Sequence, residues 1–541
     1  MNIKVPLIFS YLLFSCSHPV PTKKSAPVKP VSPIVDSGHL VKPVALEGLT
    51  PQAMERFVAR VPMVNVPVAH IIKALPLLGR PRWTALYISG SKMGYGMERW
   101  IREPYNGKTY VVREEMFHME LRRGRDRKVS HTKVRQRFEG WGNGRMVTYS
   151  KIEKSEREVR EYELSLISPG RYRQRSRSLL LSRMGEGAWS VSELAIKPET
   201  LSGSSLAVTL LIARRPVKGA RTWKMLKFSP DKGRVGAEVI SIYGPATQRG
   251  AGAAGLSYRG SLISVNPHMT MGVVIGAKGE LLSGRAGIME LREVTRAEAL
   301  RLGTTHDIET QTYFPTTITT ITPTTKKLTL SLKGPFPRGV RFFNKNRYAI
   351  TFGKEGAFSL TLTLDDVSTL TEAVPPSSLA PYLKATTNME VNDPLIRRLV
   401  LKGVLGAKTR VARARNLVAF VYKYITKSLD NDLSSAVSVA KARIGDCTEH
   451  ALLYTTLARA AGIPARTVGG VGIVKTARGH VFGYHAWSQV WLGTWIDVDP
   501  TWGQFPADVS HIMMGDDSDS RWIALLGRLK VLSHKVMQSL R

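Results

Sequence analysis

The two cysteines, Cys16 and Cys447, are the residues of this 541-residue chain whose chemistry is most readily assigned. Cys447 lies in the segment RIGDCTEH, which opens an apolar helical segment that ends at Gly462. At the amino end of a helix, the helix dipole and the unpaired backbone amides favour a thiolate over a thiol. The same amides can stabilise a developing oxyanion. Cys447 is therefore a candidate nucleophile for acyl transfer.

A thiolate nucleophile needs a base and a group that orients that base, and a hairpin downstream offers both. Residues 484–491 (YHAWSQVW) and 495–501 (WIDVDPT) predict two strands joined by a turn. In an antiparallel hairpin, the residue numbers of two opposed residues add up to the same value at every pair, here called the index sum. A turn centred on Leu492, with an odd number of loop residues, would place His485 and Asp499 side by side on one face.

Several alternatives stay open at this site. A two-residue turn at Gly493-Thr494 would send the imidazole and the carboxylate to opposite faces of the hairpin. Asp497 shares a face with Asp499 and could orient the base instead. Glu449 and His450 lie in the first turn of the helix. Each of these two side chains could cap the helix, pack in the core or take part in the chemistry.

Three segments, GDCTEHALLYTTLARAAGIPAR, HAWSQVWL and WIDVDPTWGQ, resemble the three motifs of bacterial transglutaminase-like proteins. The resemblance extends over about residues 376–541 and implies a papain-like triad, with Cys447 as nucleophile, His485 as base and Asp499 as orienting residue. None of the motifs calls for a metal or an organic cofactor. Gln489 departs from the pattern, because many members carry Glu there, and we expect it to affect amine recognition or the imidazole orientation without abolishing the triad.

The rest of the chain predicts a multidomain protein, with β-rich N-terminal modules followed by an α+β papain-like or transglutaminase-like C-terminal domain. Runs of β-branched and aromatic residues between turn signals indicate a β-rich domain at 47–185, a second at 186–305 and a small β-sheet region at 306–374. Within the second, REVTRAEALRLG predicts a short helix that is capped by Thr295 and ends at Gly303. Helical spacing then begins, so the catalytic domain is placed at 375–541.

The composition is globular but strongly basic, since 78 Lys and Arg oppose 42 Asp and Glu for a net charge of +36. Such a surface favours anionic partners, here envelope polymers or lipid headgroups. Arg171, Arg173, Arg175 and Arg177 alternate and should share one strand face, either to bind anions or, as we favour, as a solvated face. Only Tyr172 interleaves, which disfavours nucleic acid. Two cysteines exclude a disulfide scaffold, a Cys₄ zinc site and a cysteine-ligated cluster.

Cys16 ends an N-terminal segment, MNIKVPLIFSYLLFSC, that has the properties of an export signal. Its apolar stretch is too short to span a bilayer. Residues 13–16, LFSC, resemble a bacterial lipobox, in which the cysteine becomes lipidated, although Phe14 is bulkier than usual. A secretory signal cut elsewhere is the alternative. Residues 17–46 are rich in Pro, Ser, Lys and Val and predict an extended linker.

Together these features predict a bacterial cell-envelope protein, anchored by lipid to the outer membrane or facing the periplasm. We expect a cysteine-dependent acyl transferase or hydrolase that acts on peptide or carboxamide bonds of a protein or peptide substrate through a thioester. Hydrolysis and amine crosslinking stay open, with hydrolysis slightly preferred. The alternative is a catalytically inactive envelope binding module with the same fold. The sequence leaves the oligomeric state open.

Overall fold

The computed structural model describes most of the chain from residue 80 onward. The described residues are 80–123, 126–139, 146–181, 189–195, 221–229, 234–246, 257–265, 268–276, 281–301, 313–319, 321–334, 347–386, 388–428, 433, 435–476, 479–516 and 529–538. The predicted signal segment with Cys16 and the predicted linker at 17–46 lie outside them and stay predictions. No helix within the described ranges is long and apolar enough to cross a membrane.

Fourteen strands of the described residues form one antiparallel sheet. They are β1 Arg82–Ile88, β2 Ser91–Tyr105, β3 Lys108–Arg123, β4 Asp126–Glu139, β5 Met146–Lys154, β6 Glu158–Ser168, β7 Arg171–Leu180, β8 Ser190–Ala195, β9 Arg221–Ser229, β10 Arg234–Ala246, β11 Ser257–Val265, β12 His268–Gly276, β13 Leu281–Ala286 and β14 Met289–Val294. Their order across the sheet is β8-β7-β6-β5-β4-β3-β2-β1-β14-β13-β12-β11-β10-β9. Each strand pairs with a neighbour in sequence except at one junction, where β1 pairs with β14.

This junction corrects the predicted division into two β-rich domains. Trp83 pairs with Val294 and Ile88 with Met289, so strands from 47–185 and 186–305 belong to the same sheet. The β7–β8 hairpin also crosses residue 185. Local strand patterns cannot reveal a pairing between segments more than 200 residues apart, which is why the sequence suggested two separate sheets.

The small β-sheet region draws strands from both sides of the predicted boundary at 375. Strands β16 Lys327–Lys333, β17 Tyr348–Phe352 and β18 Ala357–Thr363 form a four-stranded sheet with β25 Lys530–Met537 in the order β17-β18-β16-β25. The strand β15 Phe314–Pro315 joins the sheet of the C-terminal domain. Two short 3₁₀ helices follow, at Val367–Thr369 and Ser377–Leu383. The region at 306–374 is therefore integrated with the C-terminal domain.

The C-terminal domain combines helices with a five-stranded sheet. Its helices are α2 Pro394–Gly403, α3 Arg410–Tyr424, α4 Ala436–Ala442 and α5 Cys447–Ala460. Two short strands, β19 Thr426–Lys427 and β20 Ile444–Gly445, pair with each other in parallel. The sheet consists of β15 with β21 Ala465–Thr476, β22 Gly479–Trp491, β23 Trp495–Val498 and β24 Ile512–Asp516, in the order β15-β22-β21-β24 with β23 paired to β22. Helix α5 is fixed to β22 by Ser488, whose hydroxyl lies 3.0 Å from that of Thr455 and donates to the carbonyl of Ala451 at 3.2 Å.

The predicted short helix α1, Arg296–Leu300, begins after Thr295, whose side chain accepts a hydrogen bond from the amide of Glu298. Lys92 closes its other end by donating to the carbonyls of Ala299 at 2.8 Å and Arg301 at 2.9 Å. A cation at the end of a helix satisfies carbonyls that have no partner within it. The predicted terminator, Gly303, lies outside the described residues.

The three larger sheets share one buried cluster. Met93 of the large sheet, Leu330 of the small sheet and Val471 of the C-terminal sheet all belong to it. A second cluster holds the helices against β22 and β23. At one end of the large sheet, the hydroxyl of Ser438 on α4 lies 2.9 Å from that of Ser178 and donates to the buried Glu158 at 2.7 Å. The β-rich region thus packs directly against the C-terminal domain.

The alternating arginines of β7 mostly form ion pairs across the strands. Arg175 pairs with Glu163 at 3.4 Å, Arg177 pairs with Glu161, and Arg171 pairs with Glu193. The guanidinium groups of Arg175 and Arg177 also stack over Trp189. Because these carboxylates offset the charge of three of the four arginines, the geometry favours an ion-paired sheet face over an anion-binding one.

Gly470 of β21 lies where a side chain does not fit. A Cβ atom there would lie 2.0 Å from the carbonyl oxygen of Ile512 and 2.9 Å from the ring of Trp487. We expect Gly470→Ala to lower the free energy of unfolding by about 1–3 kcal/mol, because β24 must move away from β21. Urea unfolding measures the loss. Gly272→Ala is the control, since a Cβ there meets only the carbonyl of Arg285 at 3.8 Å; equal losses in both variants would contradict this explanation.

Candidate active site

Cys447 is the first residue of helix α5, and the residues around it fix that helix start. Asp446 is the N-cap, with Oδ1 accepting from the amide of Thr448 at 2.7 Å. Glu449 completes a capping box by accepting from the amide of Asp446 at 3.0 Å. A side chain at Gly445 would bring a Cβ within 2.4 Å of the Cβ of Glu449, so glycine is required before the cap. The segment GDCTE is thus a helix start that presents a thiol.

Cys447 is 3% exposed, and the side chain of His485 and the backbone amide of Ala486 both act on its thiol. Burial raises the pKa of the thiol, but the hydrogen bond and the positive charge of His485 outweigh it and lower the pKa to about 6. At neutral pH the sulfur is therefore predominantly a thiolate.

His485 lies on β22 between the thiol and a carboxylate. Its Nε2 donates to Oδ2 of Asp499 at 2.8 Å, which leaves Nδ1 for Cys447. The ring stacks on Trp502, with centroids 4.3 Å apart and planes 12° apart. Burial lowers the pKa of His485, but the charge of Asp499 and the hydrogen bonds to Asp499 and Cys447 raise it to about 9. Thiolate and imidazolium thus form an ion pair between about pH 6 and pH 9.

The hairpin has a different register from the one predicted. Gln489 pairs with Asp497 and Trp491 with Trp495, so the turn is centred on Gly493 and not on Leu492. Gly493 has φ +88°, and a Cβ there would lie 2.2 Å from the hydroxyl oxygen of Thr371, so only glycine fits at the centre. The loop between the strands still has three residues, which is an odd number. Because the index sum differs from the predicted one by two, His485 and Asp499 remain on the same face of the hairpin.

Asp499 lies just past β23 and is held on both oxygens. Its Oδ1 accepts from the amides of Thr501 at 2.6 Å and Trp502 at 3.2 Å. Its Oδ2 accepts from His485 and also from Nε2 of His511, at 3.0 Å. Burial raises the pKa of Asp499, but the charges and hydrogen bonds of the two histidines hold it well below the ordinary value. The carboxylate is therefore ionised and unable to rotate freely.

Asp497, the alternative orienting residue, is engaged elsewhere. Its Oδ2 accepts from the hydroxyl of Tyr348 at 2.8 Å and from Nε1 of Trp487 at 3.1 Å. Its Oδ1 accepts from Nε2 of Gln489 at 2.6 Å. Through these contacts Asp497 links β23 to β22 and to the small sheet, and none of the contacts involves His485.

Gln489 occupies a site that needs both a donor and an acceptor. While its nitrogen donates to Asp497, its Oε1 accepts from Nε of Arg466 at 3.0 Å and from Nη2 at 2.5 Å. An amide can link a cation to an anion in this way, whereas an ionised Glu could not donate to Asp497. The departure from the family pattern is thus accommodated away from the imidazole of His485.

Glu449 and His450 support the helix start. Glu449 belongs to the capping box, and Nδ1 of His450 donates to the carbonyl of Asp446 at 2.6 Å. Burial holds the pKa of His450 below its ordinary value, so the ring is neutral at pH 7. Both residues lie next to Cys447 in the fold, and the observed contacts of both are structural.

Two buried residues behind the triad, Arg347 and His511, were not among the predicted site residues. Arg347 donates to the carbonyl of Ala507 at 2.9 Å and lies 3.5 Å from Oδ2 of Asp497. A lone arginine before β17 and a lone histidine before β24 match no motif. Only the packing of the small sheet and the pairing of β24 with β21 bring them to the site.

One group of described residues could hold a metal ion, namely His485, Asp499 and His511, whose ligand atoms lie within 4.8 Å of one another. The two Nε2 atoms in this group donate protons to Asp499. A metal would require the lone pairs that those protons occupy. Metal binding and the hydrogen-bonded triad would therefore compete for the same atoms.

One family model matches the segment that contains the three residues of the triad. Residues 397–500, which contain Cys447, His485 and Asp499, match the model of the transglutaminase-like superfamily. The chain contains a transglutaminase-like domain. It follows a large β-rich N-terminal region, as the sequence predicted. No curated protein matches the chain.

Two solved structures are similar to parts of this chain. One is described as a "putative cysteine protease" from Cytophaga hutchinsonii; it is 16% identical and has a TM-score of 0.26, with 39% of this chain and 84% of that chain covered. The other is described as a "putative protease" from Parabacteroides distasonis; it is 7% identical and has a TM-score of 0.17, with 72% of this chain and 68% of that chain covered. Scores this low carry no weight for function.

Proposed function

We propose that this protein is a cysteine-dependent enzyme of the cell envelope that transfers or hydrolyses acyl groups through a thioester. One observation supports this most directly. His485 acts on the thiol at the start of α5 and lowers its pKa to about 6, and Nε2 of the same His485 donates to Asp499 at 2.8 Å. A nucleophile, a base and an orienting group in hydrogen-bonded series are the parts that covalent catalysis requires.

The reaction follows from the ion pair. The Cys447 thiolate attacks the carbonyl carbon of a peptide or carboxamide, and the carbonyl electrons move to oxygen. As the tetrahedral intermediate collapses, the imidazolium of His485 gives its proton to the leaving amine, and the C–N bond breaks. The neutral imidazole then takes a proton from water or from a second amine, which attacks the thioester and releases the thiolate. Asp499 stabilises the imidazolium in both steps.

Water and an amine can both resolve the same acyl-enzyme, and we propose hydrolysis as the main outcome. A peptide library incubated with the protein, with and without an added primary amine, tests this by mass spectrometry. Hydrolysis gives shortened or deamidated peptides in both incubations, whereas crosslinking gives amine adducts only when the amine is present. Absence of any product at pH 7–8 from the wild-type protein would contradict the enzyme proposal.

A binding module with the same fold is the second candidate, and the burial of the site favours it. Cys447 and His485 are only 3% and 4% exposed. A site that never opens to a substrate would hold the triad as a structural remnant. Such a protein would bind envelope peptides without releasing products, so the peptide library separates the two candidates.

We also propose that Cys16 carries a lipid anchor, which rests on the lipobox-like segment LFSC at residues 13–16. We expect Cys16→Ala to move the protein from the membrane to the soluble periplasmic fraction, because two acyl chains suffice for stable anchoring and each buried methylene contributes about 0.8 kcal/mol. Detergent-free fractionation measures this. Cys447→Ala is the control, since it removes the other cysteine and should leave the protein on the membrane. A wild-type protein that is already soluble would favour the secretory signal.

A further inference from the structure

His511 is a second histidine that shares the carboxylate of the triad. Its Nε2 donates to Oδ2 of Asp499 at 3.0 Å, the same oxygen that accepts from His485. The ring is fully buried and lies against Trp487 and Trp502, with centroids 5.2 Å and 4.7 Å away. These aromatic walls fix its orientation, so the contact to Asp499 is built into the fold.

The other nitrogen of His511 also faces acceptors. Nδ1 lies 3.2 Å from the carbonyl oxygen of Asp508 and 3.2 Å from its Oδ1. A backbone carbonyl only accepts, and an ionised carboxylate only accepts. Asp508 also accepts from the amide of Ser510 at 2.9 Å, from the hydroxyl of Ser510 and from Nε2 of Gln504 at 2.7 Å, and three donors favour the ionised carboxylate. The Ser510 hydroxyl lies 3.5 Å from Nδ1 but donates to Asp508, so Nδ1 faces acceptors and carries a proton. With Nε2 donating to Asp499 as well, His511 is an imidazolium.

Charged and titratable groups face His511 from each element that packs against it. Asp499 and Asp508 flank the ring, and the His485 ring lies 5.4 Å away on β22. From the small sheet, Arg347 donates to the same Asp508 carbonyl, and the hydroxyl oxygen of Tyr348 lies 3.2 Å from the carbonyl oxygen of His511. Burial lowers the pKa of His511, but its hydrogen bonds to the two carboxylates raise it overall.

We propose that His511 is a positioning residue, an imidazolium held between Asp508 and Asp499 that fixes the triad carboxylate and limits how strongly it holds the proton of His485. This inference rests on the proposed chemistry of the same site. With Oδ1 held by two backbone amides and Oδ2 shared by two histidines, the carboxylate has one orientation. A cation beside Asp499 weakens its pull on His485, so that His485 can release its proton to a leaving amine.

Two variants distinguish the hydrogen bond that His511 donates to Asp499 from the positive charge of the His511 ring. His511→Asn keeps a donor near Asp508 and loses the donor to Asp499, because the amide nitrogen of Asn matches Nδ1 in reach. His511→Gln keeps an uncharged donor to Asp499, because its nitrogen matches Nε2. We expect His511→Asn to lower kcat/KM roughly 10- to 100-fold with KM little changed, as for other partners that orient a reacting group. His511→Gln should lower kcat/KM less than about 10-fold.

The pH dependence is the readout that a merely structural role would not move. His485 is protonated below its pKa of about 9 and loses its proton as the pH rises through that value. Removing the nearby cation should raise that pKa, so His511→Gln should move the alkaline limb of kcat/KM, and the alkaline step in the alkylation rate of Cys447, upward by about one unit. Alkylation needs no turnover, so an inactive protein in which this step still moves would contradict the proposed function and support the role of His511.

Wild-type activity and an unchanged alkaline step in both folded variants would overturn the proposal. If both variants fail to fold, nitrogen-15 NMR of the histidine rings in the wild-type protein decides the matter. Two protonated ring nitrogens on His511 at pH 7 would support it, and a neutral ring would overturn it.

Discussion

Cys447→Ala is expected to lower kcat/KM on the order of 10⁴-fold or more, because a residue that forms the covalent intermediate cannot be replaced by its neighbours. The thiol is small, and Ala fits wherever Cys fits, so the thermal midpoint should change little. The assay is turnover of a peptide identified from the library, together with the mass of the intact protein. The wild-type protein should show an acyl adduct that the variant lacks.

Cys447→Ser is the matched control for this loss. Serine keeps the size and the hydrogen-bonding capacity of the side chain, but its hydroxyl has a much higher pKa than a thiol and is not ionised beside His485. We therefore expect an activity near that of the Ala variant. Activity close to wild type in either purified variant would contradict the thioester mechanism.

Asp499→Asn is expected to lower kcat roughly 10³- to 10⁴-fold, the loss seen when a triad carboxylate becomes an amide. The amide removes the charge that raises the pKa of His485. It also offers one acceptor oxygen where the two carboxylate oxygens accept four donors, from His485, His511, Thr501 and Trp502. Steady-state kinetics and the pH dependence of thiol alkylation measure the two effects, and the thiol pKa should rise.

Asp497→Asn controls for the loss of a buried carboxylate. Asp497 accepts from Tyr348, Trp487 and Gln489 but orients no catalytic group, so its loss should lower the thermal midpoint while the thiol pKa stays near 6. If this variant instead raised the thiol pKa and Asp499→Asn did not, the orienting role would belong to Asp497.

Motifs gave the candidate triad because its chemistry depends on residue type and local context. A cysteine after a capping aspartate and a histidine and an aspartate around a short turn can all be read from neighbouring residues. The register was missed by two in the index sum because Gly493, with its positive φ, is the residue that can occupy the centre of the turn. A second reason for glycine there is the contact with Thr371, which lies far away in sequence and leaves no room for a side chain.

The remaining parts depend on non-local packing. Nothing around His511 or Arg347 distinguishes them from ordinary surface or core residues in the sequence. Likewise, the pairing of β1 with β14 and of β16 with β25 joins segments about 200 residues apart. Periodicity identifies strands but not their partners, so the single large sheet and the closure of the small sheet could not be foreseen.

The measurement that tests the central claim most directly is the rate of iodoacetamide alkylation of Cys447 across pH 4–10. The chain has two cysteines, so the Cys16→Ala variant carries Cys447 as its only thiol. The thiolate–imidazolium pair predicts an apparent thiol pKa of about 6, and His485→Ala should raise it to at least the free value of about 8.5. A wild-type thiol that titrates at or above the free value, or one that His485→Ala leaves unchanged, would contradict the account.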